Sequence, residues 1–327
     1  MSDPIASAPR ASRQASRPEV LLVGPYPAWD VEPMERDYEL LRLWEASDRD
    51  AFLAKVGPRV RAVATRGELG ADAALIDALP ALEIISCYGV GVDAIDLKRA
   101  RERGIRVTNT PEVLTRDVAD MALALILASL RKIPQGDAYL RSGAWAKSNM
   151  ALGASFTGKR VGILGFGRIG RAVAQRVASF ETEVAYADVA PAAGVPYAYY
   201  PDAVALAAAS DILVVTVAGG EATRNIVGAR VLEALGPKGL LVNVARGSTV
   251  DEEALIAALA GGAVGGAALD VFWNEPNVDR RLLAFSNVIV QPHQSSGTVE
   301  TRRAMGKLVR DNLAAHFSGR PLLTSVV

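Results

Sequence analysis

The run KRVGILGFGRIG at residues 159–170 constrains this chain more than any other feature, because a short apolar stretch is followed at once by Gly165, Gly167 and Gly170. In that pattern the first glycine turns the chain tightly out of a strand, the second lets the backbone approach a pyrophosphate, and the third lets the next helix lie close to the sheet. The helix N-terminus beyond it offers free N–H groups to phosphates. Glycine is common here, and 29 of them in 327 residues give roughly 0.2 chance matches to this spacing, so the flanks must decide. Residues 171–180 read as a helix and 183–187 as a second strand. Asp188 closes that strand 188 − 170 = 18 residues after the last glycine. A ribose-binding acid is expected about 20 residues on, so the run reads as a dinucleotide site rather than a plain glycine-rich turn.

A chain of 327 residues, half of them hydrophobic, has material for about two ordinary domains. Lys plus Arg equals Asp plus Glu at 36 each, so no global field draws it to nucleic acid or an anionic membrane, and its ligands should be small. The single Cys87 excludes an internal disulfide or a thiolate cluster; it reads as a core residue and fits a reducing, cytoplasmic compartment. Residues 1–18 are rich in Ser, Ala, Pro and Arg and lack an apolar segment, so they read as a disordered tail rather than a signal peptide. The most apolar stretch, 121–130, is too short to cross a bilayer and is expected to be a buried helix.

From residue 19 apolar runs alternate with amphipathic stretches, at 20–23, 38–44, 60–64, 71–79, 82–87, 94–103 and 105–107. Strands alternating with helices predict a parallel sheet. The turn YGVGVD at 88–93 leaves a strand and opens a helix, a natural place for a small anion. Pro111 ends the next strand, Thr115 is a candidate N-cap, and the segment 108–120 has the character of a crossing between domains. Residues 131–158, with Trp145, read as a polar, irregular surface arm. After Asp188, strands at 212–217, 240–245, 267–272 and 288–291 and helices at 225–235 and 251–260 complete a second doubly wound sheet. A helix over 298–317 is expected to return to the first sheet.

Only two histidines occur. His316 lies in the terminal helix and reads as structural. His293 follows an apolar strand at the sheet edge where ligands bind in such folds, and is the candidate acid/base. Arg246 and Glu275 follow two other strands that should end at the same edge. Arginine can hold a carboxylate in bidentate fashion, and a carboxylate can hold one imidazole nitrogen and favour its charged form. The bland alternative is that Arg246 and Glu275 pair with each other. Two histidines and no Cys or Asp cluster leave no metal site to propose.

The motifs NTPEVLTRDVAD, GILGFGRIG, NVARG, DVFWNEP and QPHQSSGTVETR, in this order, resemble the D-isomer-specific 2-hydroxyacid dehydrogenases, in particular the plant-type hydroxypyruvate/glyoxylate and hydroxyphenylpyruvate reductases, down to HFSGRPLLTSVV at the end. The resemblance implies an α/β fold of two doubly wound parallel-sheet domains, with a Rossmann-type cofactor domain (113–296) inserted in a flavodoxin-like substrate domain (19–112 and 297–327). It implies Arg246, Glu275 and His293 as the catalytic set, and Val90, Gly91 and Arg246 as the holders of a substrate carboxylate. The cofactor shell would be Gly165, Phe166, Gly167, Arg168, Ile169 and Gly170 at the pyrophosphate, Asp188 at the ribose, and Val244, Ala245, Arg246, Asp270 and His293 at the nicotinamide.

The implied reaction is NAD(P)H-dependent reduction of a small 2-oxo acid to the D-2-hydroxy acid by a homodimer formed through the cofactor domain. Other readings are a 3-phosphoglycerate dehydrogenase, a hydroxyphenylpyruvate reductase, or a non-catalytic NAD-sensing regulator. NADP-using relatives typically carry a small polar residue and then an arginine where this chain has Asp188 and Val189. A carboxylate accepts hydrogen bonds from a free ribose 2′-OH and repels a phosphate, so NAD is expected to be preferred, with NADP possible.

Overall fold

A computed structural model describes residues 17–327, so most of the expected tail, residues 1–16, lies outside the described residues. The chain packs as two units: residues up to Tyr88, Ala94–Asn109 and Lys307–Val327 form the first, and Gly89–Asp93 with Thr110–Gly306 form the second.

The first unit holds strands β1 (Glu19–Leu22), β2 (Glu39–Arg42), β3 (Val60–Arg66), β4 (Ile84–Tyr88) and β5 (Arg106–Thr108), with helices α1 (Ala28–Asp37), α2 (Arg49–Val56), α3 (Ala73–Asp77) and α4 (Leu97–Glu102) between them. The strands are all parallel, in the order β2-β1-β3-β4-β5, which is the flavodoxin-like winding. Every residue of β4 is buried, as a parallel sheet covered on both faces requires. Asp48, Asp72 and Asp96 cap the last three helices by accepting from Ala51 N, Leu75 N and Arg99 N. The chain's final residues cover the β5 edge, with Val107 N donating to Val327 O and Val326 N to Val107 O.

The second unit opens with α5 (Thr115–Leu130) and α6 (Ile133–Arg141). Its strands β6 (Arg160–Leu164), β7 (Glu183–Ala187), β8 (Ala198–Tyr199), β9 (Ile212–Val215), β10 (Leu240–Asn243), β11 (Gly266–Leu269) and β12 (Val288–Val290) form a parallel sheet ordered β12-β11-β10-β9-β6-β7-β8. This is the dinucleotide-binding winding with one strand added, and its order reverses between β6 and β9. Helices α7 (Arg168–Ala178), α8 (Ala203–Ala208), α9 (Ala229–Leu235), α10 (Glu252–Ala260) and α11 (Arg280–Leu283) connect the strands. Leu206, Leu213, Leu232, Leu241, Leu255 and Phe272 pack in one apolar core beside the sheet.

The terminal helix α12 (Val299–Phe317) runs through both units and changes from the second to the first after Gly306. In the first unit Arg310 pairs with the buried Asp30, and His316 is clamped between Arg106 Nη2 at 3.0 Å and Glu83 Oε2 at 2.8 Å. His316 is therefore built into the fold.

Several elements differ from the sequence reading. Residues 131–158 are not irregular throughout, since Pro134 starts α6 with its fixed φ. That helix buries no residue. α5 is buried on one face only, through Val118, Ala119, Ala122, Leu125 and Ile126, while Ala124 faces outward. The units also divide at different points from 112 and 296, because the second unit holds Gly89–Asp93 and its own contacts to α12: Thr110 N donates to Gly89 O, Thr301 Oγ1 to Val113 O, and Thr298 Oγ1 to Asp117.

Candidate active site

The glycine loop leaves β6 with Gly165 at φ +93°, a conformation that favours glycine, and a Cβ there would lie 2.7 Å from Val217 N. A Cβ on Gly170 would lie 2.1 Å from Gly165 O, so the loop and the start of α7 touch backbone to backbone. At Gly167 a Cβ would meet nothing within 4 Å. The middle glycine therefore borders open space where its neighbours do not, which fits a loop whose backbone is approached by a ligand from outside. Gly167 is also the N-cap of α7 and supplies no side-chain cap, so the first amides of the helix point toward that space. The helix starts at Arg168, three residues before the expected 171.

Asp188 is turned toward this loop. Its Oδ2 accepts from Phe166 N at 2.6 Å and its Oδ1 from Val189 N at 2.7 Å. The Phe166 ring stacks on Tyr186 at 4.1 Å between centroids and lies under the Arg171 guanidinium at 4.9 Å. Val189 is fully exposed, and Arg168 pairs at 3.4 Å with Glu112 in an exposed contact. Arg224 lies 5.0 Å over the Trp273 ring and 3.4 Å from Glu221.

At the carboxyl end of the same sheet, the turn after β10 carries Arg246. Asn243 shapes it by accepting from Ala245 N at 3.0 Å and donating to Arg246 O at 2.9 Å, with Val244 and Ala245 buried beneath. A Cβ on Gly247 would lie 2.0 Å from the Phe272 carbonyl carbon, so this turn presses against the loop after β11, which carries Glu275. Arg246 donates from Nε to Asp93 Oδ1 at 3.3 Å and from Nη1 to Ala245 O at 2.8 Å. It does not pair with Glu275.

Glu275 instead pairs with His293. Its Oε2 lies 2.6 Å from His293 Nδ1, and its Oε1 accepts from Phe272 N at 2.9 Å. Burial by itself would raise the Glu275 carboxyl, but the hydrogen bond and charge of His293, the Phe272 amide and the Arg246 charge together hold it below the usual carboxylate range. His293 takes a left-handed φ of +53°, held by its amide donating to Asp270 O at 2.9 Å. The Asp270 carboxylate completes that clamp by accepting from Gln294 N at 2.7 Å and Ser295 N at 2.9 Å. Asp270 is fully buried, and burial raises its carboxyl against the opposing pull of those donors.

Two residues of this arrangement escaped the sequence reading. Asn243 lay inside the NVARG motif without a part of its own. Asp93 had been seen only as the end of a glycine-rich turn, with nothing to mark it as a partner of an arginine 153 positions away.

Residues 123–295 match the family model for the D-isomer specific 2-hydroxyacid dehydrogenase, NAD binding domain. Hydroxyphenylpyruvate reductase of Plectranthus scutellarioides is 48% identical over 308 residues, covering 94% of this chain and 98% of that protein. A glyoxylate/hydroxypyruvate reductase of Arabidopsis thaliana is 49% identical over 308 residues, with the same coverage of 94% and 98%. Among solved structures, the NADPH-dependent glyoxylate/hydroxypyruvate reductase of Sinorhizobium meliloti, in complex with NADP and malonate, superposes with a TM-score of 0.90 at 46% identity, over 95% of this chain and 97% of that one.

Proposed function

Because the chain belongs to the D-isomer specific 2-hydroxyacid dehydrogenase family, we propose that it reduces a small 2-oxo acid of the glyoxylate or hydroxypyruvate type to the D-2-hydroxy acid with a nicotinamide cofactor. The observation that carries this reading is the His293–Glu275 pair at 2.6 Å, beside Arg246 and on the carboxyl edge of the sheet that bears the glycine loop. Direct measurement of turnover with glyoxylate and hydroxypyruvate, each with NADH and NADPH, tests it. Binding of nucleotide without turnover of any 2-oxo acid would favour the regulator instead.

A bound nicotinamide would supply the hydride. Gly165 to Gly170 would hold its pyrophosphate, and Val244, Ala245, Arg246, Asp270 and His293 its nicotinamide end. Arg246, with the turn at Val90 and Gly91, holds the substrate carboxylate and so orients the carbonyl. The imidazole of His293 is fixed through Nδ1 by Glu275, which leaves Nε2 to give a proton to the carbonyl oxygen as it becomes an alkoxide. Glu275, ionised and pinned by the Phe272 amide, stabilises the charged imidazolium from which that proton comes. Positioning and charge stabilisation carry most of the rate.

NAD is the preferred cofactor in this reading. Support comes from the Asp188 carboxylate, held facing the glycine loop by two backbone amides with no basic side chain following it. The Sinorhizobium relative is described as NADPH-dependent, which makes the preference a point where this chain departs from it. The unit with the seven-stranded sheet is the cofactor domain and the other the substrate domain. A homodimer forms through the cofactor domain, a reading supported by the exposed apolar side chains Ile133, Leu140, Trp145 and Leu152 on α6 and the segment after it. The lone, buried Cys87 is in keeping with a cytoplasmic location, and no helix among the described residues is long and apolar enough to cross a membrane.

A further inference from the structure

We propose that Asp93 is a positioning residue for Arg246: by taking the Nε–H, it fixes the opposite, Nη1/Nη2 edge of the guanidinium as the one offered to the carboxylate of the 2-oxo acid. The inference rests on the function assigned above and adds to it a residue with no direct contact to the substrate.

A guanidinium has five N–H donors on a rigid plane, and it can meet a carboxylate either along its Nε side or end-on through both terminal nitrogens. In this chain Nε donates to Asp93 Oδ1 at 3.3 Å, and Nη1 donates to the backbone oxygen of Ala245 at 2.8 Å. Five donors less two leaves one on Nη1 and two on Nη2, of which one Nη2 hydrogen lies on the Nε side and the other faces the end-on edge.

The surroundings keep it there. A Cβ on Gly91 would lie 1.7 Å from Arg246 Nη2 and 2.6 Å from Asp93 Oδ1. One on Gly219 would lie 2.8 Å from Arg246 Cγ and 2.9 Å from Asp93 Oδ2. Arginine and aspartate thus lie together between two glycines, neither of which has room for a side chain. Gly91, Asp93, Gly219 and Arg246 all belong to the second unit. The two side chains retain only 26% and 23% of their exposure, so solvent screens the pair less than it screens a surface ion pair.

The same contact admits an opposite role. The negative charge of Asp93 could weaken carboxylate binding by half-neutralising Arg246. Substitutions separate the two. Asp93→Asn keeps an oxygen that accepts from Nε but removes the charge, whereas Asp93→Ala removes both. The experiment compares these variants of the full chain, in the native and the Arg246→Lys backgrounds, by kcat and KM for hydroxypyruvate, by the Kd of cofactor, and by the Kd of oxamate for the cofactor-loaded protein.

If Asp93 positions Arg246, Asp93→Ala raises KM and the oxamate Kd about tenfold or more, since misplacement by about 1 Å can cost on the order of 10²-fold. Asp93→Asn stays within about threefold of the native chain, and cofactor Kd is unchanged in both. In the Arg246→Lys background, which has no Nε–H to fix, Asp93→Ala has no further effect. A tighter oxamate complex in Asp93→Asn would overturn the proposal in favour of the charge-weakening role. An equal loss in both backgrounds would overturn it in favour of a general structural role. Absence of turnover in the native chain would instead defeat the assigned reaction, and the oxamate cycle would still decide the part played by Asp93.

Discussion

Glu275 accepts a hydrogen on each of its oxygens, one from the backbone of Phe272 at 2.9 Å and one at 2.6 Å from Nδ1 of His293. The carboxylate is thus oriented by main chain before it orients the imidazole. His293→Ala should lower kcat by about 10²-fold or more, because removing a general acid typically loses 10²- to 10⁴-fold. Glu275→Gln should cost less, since the amide still occupies the site, but it can no longer favour the charged ring. Cofactor Kd should change little in either variant. Near-normal turnover in His293→Ala would remove it from the mechanism, and the only other histidine is locked between Arg106 and Glu83 in the first unit.

The same pair sets a pH dependence of stability. The Glu275 carboxyl lies below its usual value in the folded chain, so its contribution is fully present above the unfolded value of about 4.3 and is lost as pH falls through the lower folded value. Asp270 acts with the opposite sign. Its folded value is raised by burial, so stability falls as pH rises from about 3.9 toward that raised value. Urea denaturation of the native chain and of Glu275→Gln from pH 3 to 6 isolates the first effect by difference. The advantage of the native chain should be constant above about pH 4.3 and shrink below it. A difference that grows on acidification would contradict the assignment.

How much of this was legible in the sequence depends on the reach of each signal. The glycine loop, β6 and β7 are marked by apolar runs and by residues within thirty positions of one another, and the parallel sheets follow from strand and helix alternation, which leaves the strand order open. His293, Glu275 and Arg246 each follow an apolar strand, so their convergence on one edge follows from the parallel sheet. Two kinds of feature left no such trace. α6 buries no residue, and its two exposed aliphatic side chains, Ile133 and Leu140, are too few to mark a core-facing stripe. The Asp93–Arg246 contact joins two turns far apart in the chain, and nothing local to Asp93 specifies a partner. The boundary of the units escaped for a related reason, since α12 is one uninterrupted helix that serves both.

Cofactor choice offers a direct test of Asp188. A like-charge contact with a 2′-phosphate costing roughly 1.4 to 2.8 kcal/mol corresponds to a 10- to 100-fold preference for NADH in kcat/KM on one substrate. Asp188→Ser with Val189→Arg should reverse it. Asp188→Ser alone should mainly weaken NADH, and because the carboxylate also accepts from Phe166 N, it should loosen the glycine loop for both cofactors. An equal or higher native kcat/KM with NADPH would overturn the preference.

The proposed homodimer has its support in the exposed apolar side chains on α6 and the segment after it. Trp145 is 65% exposed and Leu152 is 91% exposed, which is costly for two large apolar side chains in an isolated protomer. Sedimentation at micromolar concentration should give twice the chain mass of 34.5 kDa. Trp145→Asp with Leu152→Asp should shift the protein toward monomer without changing the fold of either sheet, as judged by circular dichroism. A native chain that sediments as a monomer would count against the dimer.

The glycine loop gives the sharpest separation of folding from binding, because its three glycines are required for different reasons. Gly170→Ala would force a methyl to within 2.1 Å of Gly165 O, a backbone atom that cannot move without breaking the turn, so this variant should be destabilised by more than about 2 kcal/mol. Gly165→Ala combines a φ of +93° with a clash against Val217 N and should be at least as damaging. Gly167→Ala is different. Its φ of −74° and ψ of −157° suit alanine, and the methyl would meet no protein atom within 4 Å. Alanine is a poorer helix N-cap than glycine, so the stability should fall by about 1 kcal/mol, less than for the other two variants. The space the methyl enters is the space assigned to the pyrophosphate, so the Kd for NADH should rise about tenfold or more, with the loss in kcat/KM following it. A Gly167→Ala variant that binds NADH normally would show that the pyrophosphate does not cross this loop at its middle glycine.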